Sequence, residues 1–67
     1  MTGSADKLLS VFRDHFADTG AWRRDLRDVA GMPSATFHRA LNELVSTGVL
    51  VNTGTDQRPF YKLAGDQ

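Results

Sequence analysis

The chain has 67 residues, 40% of them hydrophobic and 24% charged, the balance of a folded globular chain and not of a disordered tail. A chain this short buries only roughly 60% of the surface its unfolded form exposes, so nearly every large apolar side chain is needed for one core and little room is left for a deep pocket. It has no cysteine, which excludes a disulfide framework and a thiolate metal site, and its eight basic and eight acidic side chains cancel, which opposes strong nucleic-acid binding by the chain as a whole.

The longest uninterrupted branched apolar stretch, Val49-Leu50-Val51, is far short of the ~20 residues of a membrane-spanning helix. Met1 to Ala5 lacks the basic and apolar parts of a secretion signal, so a soluble cytoplasmic protein is expected.

In chain order, Ser4 can cap a first helix over residues 4–17, in which Leu8, Leu9, Phe12 and Phe16 recur at helical spacing. Asp18-Thr19-Gly20 is turn chemistry. A short second helix follows over residues 22–30, with Trp22, Leu26, Val29 and Ala30 on its apolar face and Arg23, Arg24 and Arg27 off it. Gly31 is suited to the left-handed end of that helix, and Pro33 to the start of the next, where its missing N–H is no loss.

The third helix, over residues 34–47, carries Phe37, Leu41, Leu44 and Val45 on its inward face and ends at Ser46-Thr47-Gly48. The period then becomes strand-like. Val49 to Thr53 and Phe60 to Leu63 read as two paired strands spanning residues 49–63, joined by the polar loop Gly54-Thr55-Asp56-Gln57-Arg58 with Pro59 at its edge. Ala64 to Gln67 are expected to fray. The aromatic residues Phe12, Phe16, Trp22, Phe37, Phe60 and Tyr61 are expected in the core, with one of the adjacent pair Phe60 and Tyr61 less buried because neighbours on a strand point to opposite faces.

The segment from Gly31 through Ser34, Ala35, Thr36, Phe37, His38 and Arg39 to Leu41, followed by Leu44 and then Thr47-Gly48-Val49-Leu50, resembles the helix-turn-helix and the approach to the wing in the winged-helix superfamily. The resemblance covers roughly residues 20–63 and extends to small bacterial regulator domains and to the winged helices of plasmid or phage replication ATPases. It implies an α+β fold, a three-helix helix-turn-helix core followed by a two-stranded β-hairpin wing, in one domain over residues 1–67. It also implies duplex DNA as partner, in transcription regulation or replication.

The physical reading agrees. A helix presented across a turn from a shorter one can enter a major groove ~12 Å wide. With positions 37, 41, 44 and 45 inward, Ser34, Ala35, His38, Arg39 and Asn42 are left for the groove. Arg39 can donate twice to guanine, Asn42 can pair an adenine edge, and Ser34 and Thr36 can hold a phosphate near the helix start. Arg58 at the hairpin tip can reach the minor groove or a flanking phosphate, with Asp56 beside it acting against this. Arg23 and Arg24 are further candidates for the backbone. Residues 23–62 hold six basic side chains (Arg23, Arg24, Arg27, Arg39, Arg58, Lys62) against four acidic ones (Asp25, Asp28, Glu43, Asp56), so the middle of the chain is basic and affinity should be salt-sensitive.

Each feature also has a plainer reading. The arginines of the second helix can be no more than a solvated face, and Arg39 and Glu43, four apart, can simply pair. His15 and His38 match no metal-ligand spacing, and Ser34 lacks the glycines of a nucleophile elbow. An enzyme, a metal and a cofactor are therefore not expected. The alternative function is a winged-helix module that docks onto protein without binding DNA, motivated by net neutrality and by Asp14, Asp18 and Asp56. A homodimer through the first helix, or a larger parent protein, is compatible with either.

Overall fold

The computed structural model describes residues 3–64; the expectation of fraying at residues 65–67 falls outside them. The elements run α1 (Gly3–Phe16), β1 (Ala21–Trp22), α2 (Arg23–Ala30), α3 (Ser34–Ser46), β2 (Leu50–Asn52) and β3 (Phe60–Leu63). This is an α+β domain in which three helices pack on a three-stranded antiparallel sheet of order β1-β3-β2. No helix among the described residues is long and apolar enough to cross a membrane.

One core joins all six elements. Ala5, Leu8, Leu9 and Phe12 of α1 meet Phe37, Ala40, Leu41 and Leu44 of α3, and Leu26, Ala30, Ala21, Leu50 and Tyr61 close the remaining sides. Phe12, Phe37, Leu8, Leu26, Leu44 and Leu50 are wholly buried. By the 3.6-residue repeat, the buried arc of α3 is centred between Phe37 and Leu44, with Ala40 and Leu41 on its flanks. Val45 therefore falls outside that arc and is 38% exposed. The expectation that it faces inward is corrected, and Ala40 takes the inward place. Val29 of α2 is likewise exposed, because Leu26 and Ala30 alone carry that short helix's buried face.

The helix ends follow local chemistry. Gly31 takes φ 64° at the end of α2, its N–H donating to the Arg27 carbonyl at 3.1 Å, the left-handed closure that glycine accepts without cost. Pro33 caps α3, one position before the expected first turn, and its carbonyl accepts the Phe37 N–H at 2.8 Å. At the other end, Gly48 N–H donates to the Val45 carbonyl and Val49 N–H to that of Leu44, the paired closure of a Schellman motif. Ser4 lies inside α1 and not at its cap.

The main correction lies at residues 21 and 22. Trp22 does not belong to the second helix, and the expected two-stranded hairpin is not a hairpin alone. Ala21 pairs with Tyr61 and Trp22 with Phe60, so β1 adds a third strand. On the other side of β3, Leu50, Val51 and Asn52 pair with Leu63, Lys62 and Tyr61. A strand of two residues has no periodicity to read, which is why the sequence places Trp22 on the following helix. Strand alternation turns Ala21 and Tyr61 into the core and Trp22 and Phe60 outward. Trp22 is 48% exposed, and the expectation that it is a core residue is corrected. Of the adjacent aromatics, Phe60 is indeed the less buried.

Gly20 makes this strand possible. It has φ 76°, and a Cβ there would stand 2.8 Å from both the Phe60 ring and the Tyr61 carbonyl oxygen. Its N–H donates to the Phe16 carbonyl at 2.9 Å, tying the turn to the end of α1.

Two substitutions test the burial pattern of α3. Phe37→Ala should lower unfolding free energy in urea by about 3–5 kcal/mol, whereas Val45→Ala should cost about 1 kcal/mol or less. Equal losses would show that the inward face has been misplaced.

Candidate nucleic-acid interface

Two surfaces adjoin. The first is the outward arc of α3. Ser34, Ala35, His38, Arg39 and Asn42 are all exposed, and the helical repeat puts Asn42 near the middle of the arc between Ala35 and His38, with Arg39 at one margin and Ser34 at the other. Thr36 is half-buried and lies off this arc, beside Glu43. No side chain caps the start of α3 and no acidic residue sits in its first turn, so the positive end of the helix dipole is uncompensated there.

The second surface is an open cleft of about 700 Å³ between α2 and the tip of the β2–β3 hairpin. Arg23, Arg24 and Arg27 line it from α2, Gln57, Arg58 and Pro59 from the hairpin, Trp22 from β1 and His38 from α3. Four guanidinium groups thus face two carboxylates, Asp25 and Asp28. Asp56, the acidic neighbour expected to counter Arg58, is not among the lining residues. Among the described residues, no side-chain hydrogen bond or ion pair engages Arg24, Arg27, Arg39 or Arg58, which leaves their donors to solvent or to an anion.

The hairpin tip is fixed by its own polar groups. Asn52 Oδ1 accepts N–H bonds from Gly54 at 2.9 Å and Phe60 at 3.2 Å. The Arg58 N–H donates to Thr55 Oγ1 at 2.9 Å, and the Thr55 N–H returns to the Arg58 carbonyl at 3.2 Å. At the base of the tip the buried Pro59 accepts the Arg23 N–H at 3.3 Å. That bond holds Arg58 and Arg23 at opposite walls of one cleft.

Of the residues singled out from the sequence, Arg23, Arg24, Arg58 and His38 therefore meet at the cleft, while Ser34, Ala35, Arg39 and Asn42 share the arc of α3. His38 belongs to both surfaces. Sequence reasoning counted Arg27 in the basic surplus without singling it out as a contact, although it stands one turn beyond Arg23 and so on the same side of α2. It gave no sign of Gln57, and it assigned Trp22 to the core. The two histidines lie on different helices, and no group of three or more potential metal ligands occurs among the described residues.

Tyr61 of β3 lies within electrostatic reach of Arg23. Burial pushes its hydroxyl pKa above the usual 10.0, and the Arg23 guanidinium partly opposes the shift by favouring the phenolate. Comparison with known protein families, curated proteins and solved structures finds no match.

Tyr61 is the chain's one tyrosine, so tyrosinate absorbance follows it alone. The folded protein keeps this proton where the unfolded chain has begun to lose it. The resulting stability is whole below pH 10 and declines as pH rises through the folded pKa. Arg23→Ala should move the tyrosinate titration to still higher pH; an unchanged or lower midpoint would refute the electrostatic contact.

Proposed function

We propose that this chain is a winged helix-turn-helix domain that binds duplex DNA through α3, in transcription regulation or in replication of a plasmid- or phage-type element. The observation that carries the reading is the arc of α3. It follows α2 across a three-residue connection, residues 31–33, and turns Ser34, Ala35, His38, Arg39 and Asn42 to solvent while its opposite side is locked into the core.

In this reading α3 lies in the major groove. Arg39 reads a guanine through two donors, Asn42 an adenine edge, and Ser34 with the uncapped first turn holds a phosphate. The arginines of the cleft then neutralise the adjacent backbone, which fixes register without reading sequence. Net neutrality of the whole chain does not oppose this, because counterion release depends on the cations at the contact surface.

A second reading is a protein-docking module without DNA binding. Val29 and Val51, each more than two-fifths exposed, favour it, since apolar side chains on the rim of a small domain are what a partner covers. Salt separates the two readings. Docking on an apolar surface persists at high ionic strength, and phosphate contacts do not.

The test is a fluorescence-anisotropy titration of a labelled mixed-sequence duplex at rising salt. Affinity should fall with a logarithmic slope of about 0.9 per phosphate contacted. Arg24→Ala should weaken all duplexes alike and reduce the slope by about one. Arg39→Ala should cost about 1–3 kcal/mol on a preferred site and relax preference at one position. If it binds every duplex as the parent does, α3 is not the reading element.

A further inference from the structure

Trp22 is the chain's only tryptophan, and nearly half of its surface is in water although the core of so small a domain needs large apolar side chains. The side chain is nonetheless held. Its backbone is paired with Phe60 in the β1–β3 ladder, and the next residue donates its N–H to the Pro59 carbonyl. The Phe60 ring meets it edge-on at 4.7 Å between centroids, the two planes inclined at 66°. An indole fixed in this way and still open to solvent is a pre-ordered aromatic surface, one that loses little freedom when something flat is laid on it.

What surrounds it selects the flat group. The ring sits in the wall of the cleft with Arg23, Arg24 and Arg58, and Gln57 offers an amide from the hairpin tip. Positive charge beside an exposed aromatic is the combination that grips a polyanion whose subunits carry π-faces, with guanidinium groups on phosphate and the ring on a base. The base must be unpaired, because within a duplex both faces of every base are covered by its neighbours. The cleft shares His38 with the arc of α3, so a strand lying in it would leave the edge of a duplex seated on that helix.

We infer that the cleft between α2 and the hairpin tip binds a single-stranded segment of DNA, with one base stacked on Trp22 and the flanking phosphates held by Arg23, Arg24 and Arg58. The inference rests on the DNA-binding reading and deepens it. On a continuous duplex these arginines face its backbone; at a boundary between paired and unpaired DNA the domain would grip the duplex through α3 while the strand leaving it takes the place of that backbone in the cleft.

The fluorescence of Trp22 reports the contact without any substitution. At low salt, an oligothymidylate of about ten nucleotides, within the range of single-strand site sizes, should quench the emission saturably. A labelled copy followed by anisotropy should bind Trp22→Leu roughly tenfold more weakly than the parent and regain most of that affinity with Trp22→Phe. Arg58→Ala, at an exposed position, should also weaken the oligothymidylate, and circular dichroism establishes that each variant is folded. If the duplex binds while the oligothymidylate neither binds nor quenches, the stacking site is overturned and the duplex-binding reading stands. Quenching by duplex alone, or equal oligothymidylate binding by Trp22→Leu, also overturns it, because the ring would then lie against a paired backbone or outside the contact. If neither nucleic acid binds, both readings fall together.

Discussion

The packing of α1 against α3 is the constraint on which everything else depends. Phe12 and Leu8 from one helix and Phe37 and Leu44 from the other lose all contact with water, and large side chains of this kind supply most of the hydrophobic stabilisation available to so short a chain. Among the described residues, the Tyr61 phenol apart, no polar or charged side chain is buried. The core is thus committed to apolar packing, and the remaining polar groups have been left on the surface. Helix α3 can expose a polar arc because its other side is anchored, so presenting that arc does not require the helix to be stable alone.

The β1–β3 pairing is the second constraint, and it explains why the cleft exists. Without it the β2–β3 hairpin would be a two-stranded ribbon, marginal in water by itself. With Ala21 and Trp22 attached to Tyr61 and Phe60, the hairpin is tied to the residue immediately before α2. The Arg23 N–H bond to Pro59 extends that tie beyond the ladder. The first turn of α2 and the hairpin tip are thereby held as facing walls, and the arginines on each become neighbours although they are more than thirty positions apart in the chain. Gly20 is a condition for this, since any side chain there would collide with β3.

Helices α1 and α3 were legible in the sequence because each has an apolar face of several residues at the 3.6 repeat, α2 less so because only Leu26 and Ala30 turn inward, and the helix ends carry chemistry with a fixed backbone meaning. Gly31 is the clearest example. Two kinds of information were not legible. One is the inward or outward sense of residues at the margin of a face: Val45 fits the apolar pattern of α3 as well as Ala40 does, and only the position of α1 decides between them. The other is pairing between distant segments. Trp22 two places after a turn glycine and Phe60 after a proline give no local sign of being partners, so the third strand, the exposure of the indole and the meeting of Arg58 with Arg23 were all hidden together. Of the candidate site, the arc of α3 followed from periodicity alone, whereas the cleft required the fold.

That division bears on how a chain of zero formal charge can carry a basic surface. Charge on a folded protein acts through its arrangement, and an interface responds mainly to charges within about a Debye length, roughly 10 Å at moderate salt. Here the hairpin turns Arg58 into the cleft while Asp56, two residues earlier, is left out of it. The turn closed between Thr55 and Arg58 puts the arginine and not the aspartate on the cleft wall, although Asp56 stays within a Debye length. Asp25 and Asp28 remain within the cleft and moderate its field, so that a polyanion placed there would meet a surplus of two cations among the lining residues and not all four. A surface with so small a surplus favours contacts that are individually weak and reversible, and under the proposed reading specificity would come from shape and from the polar arc of α3, not from charge.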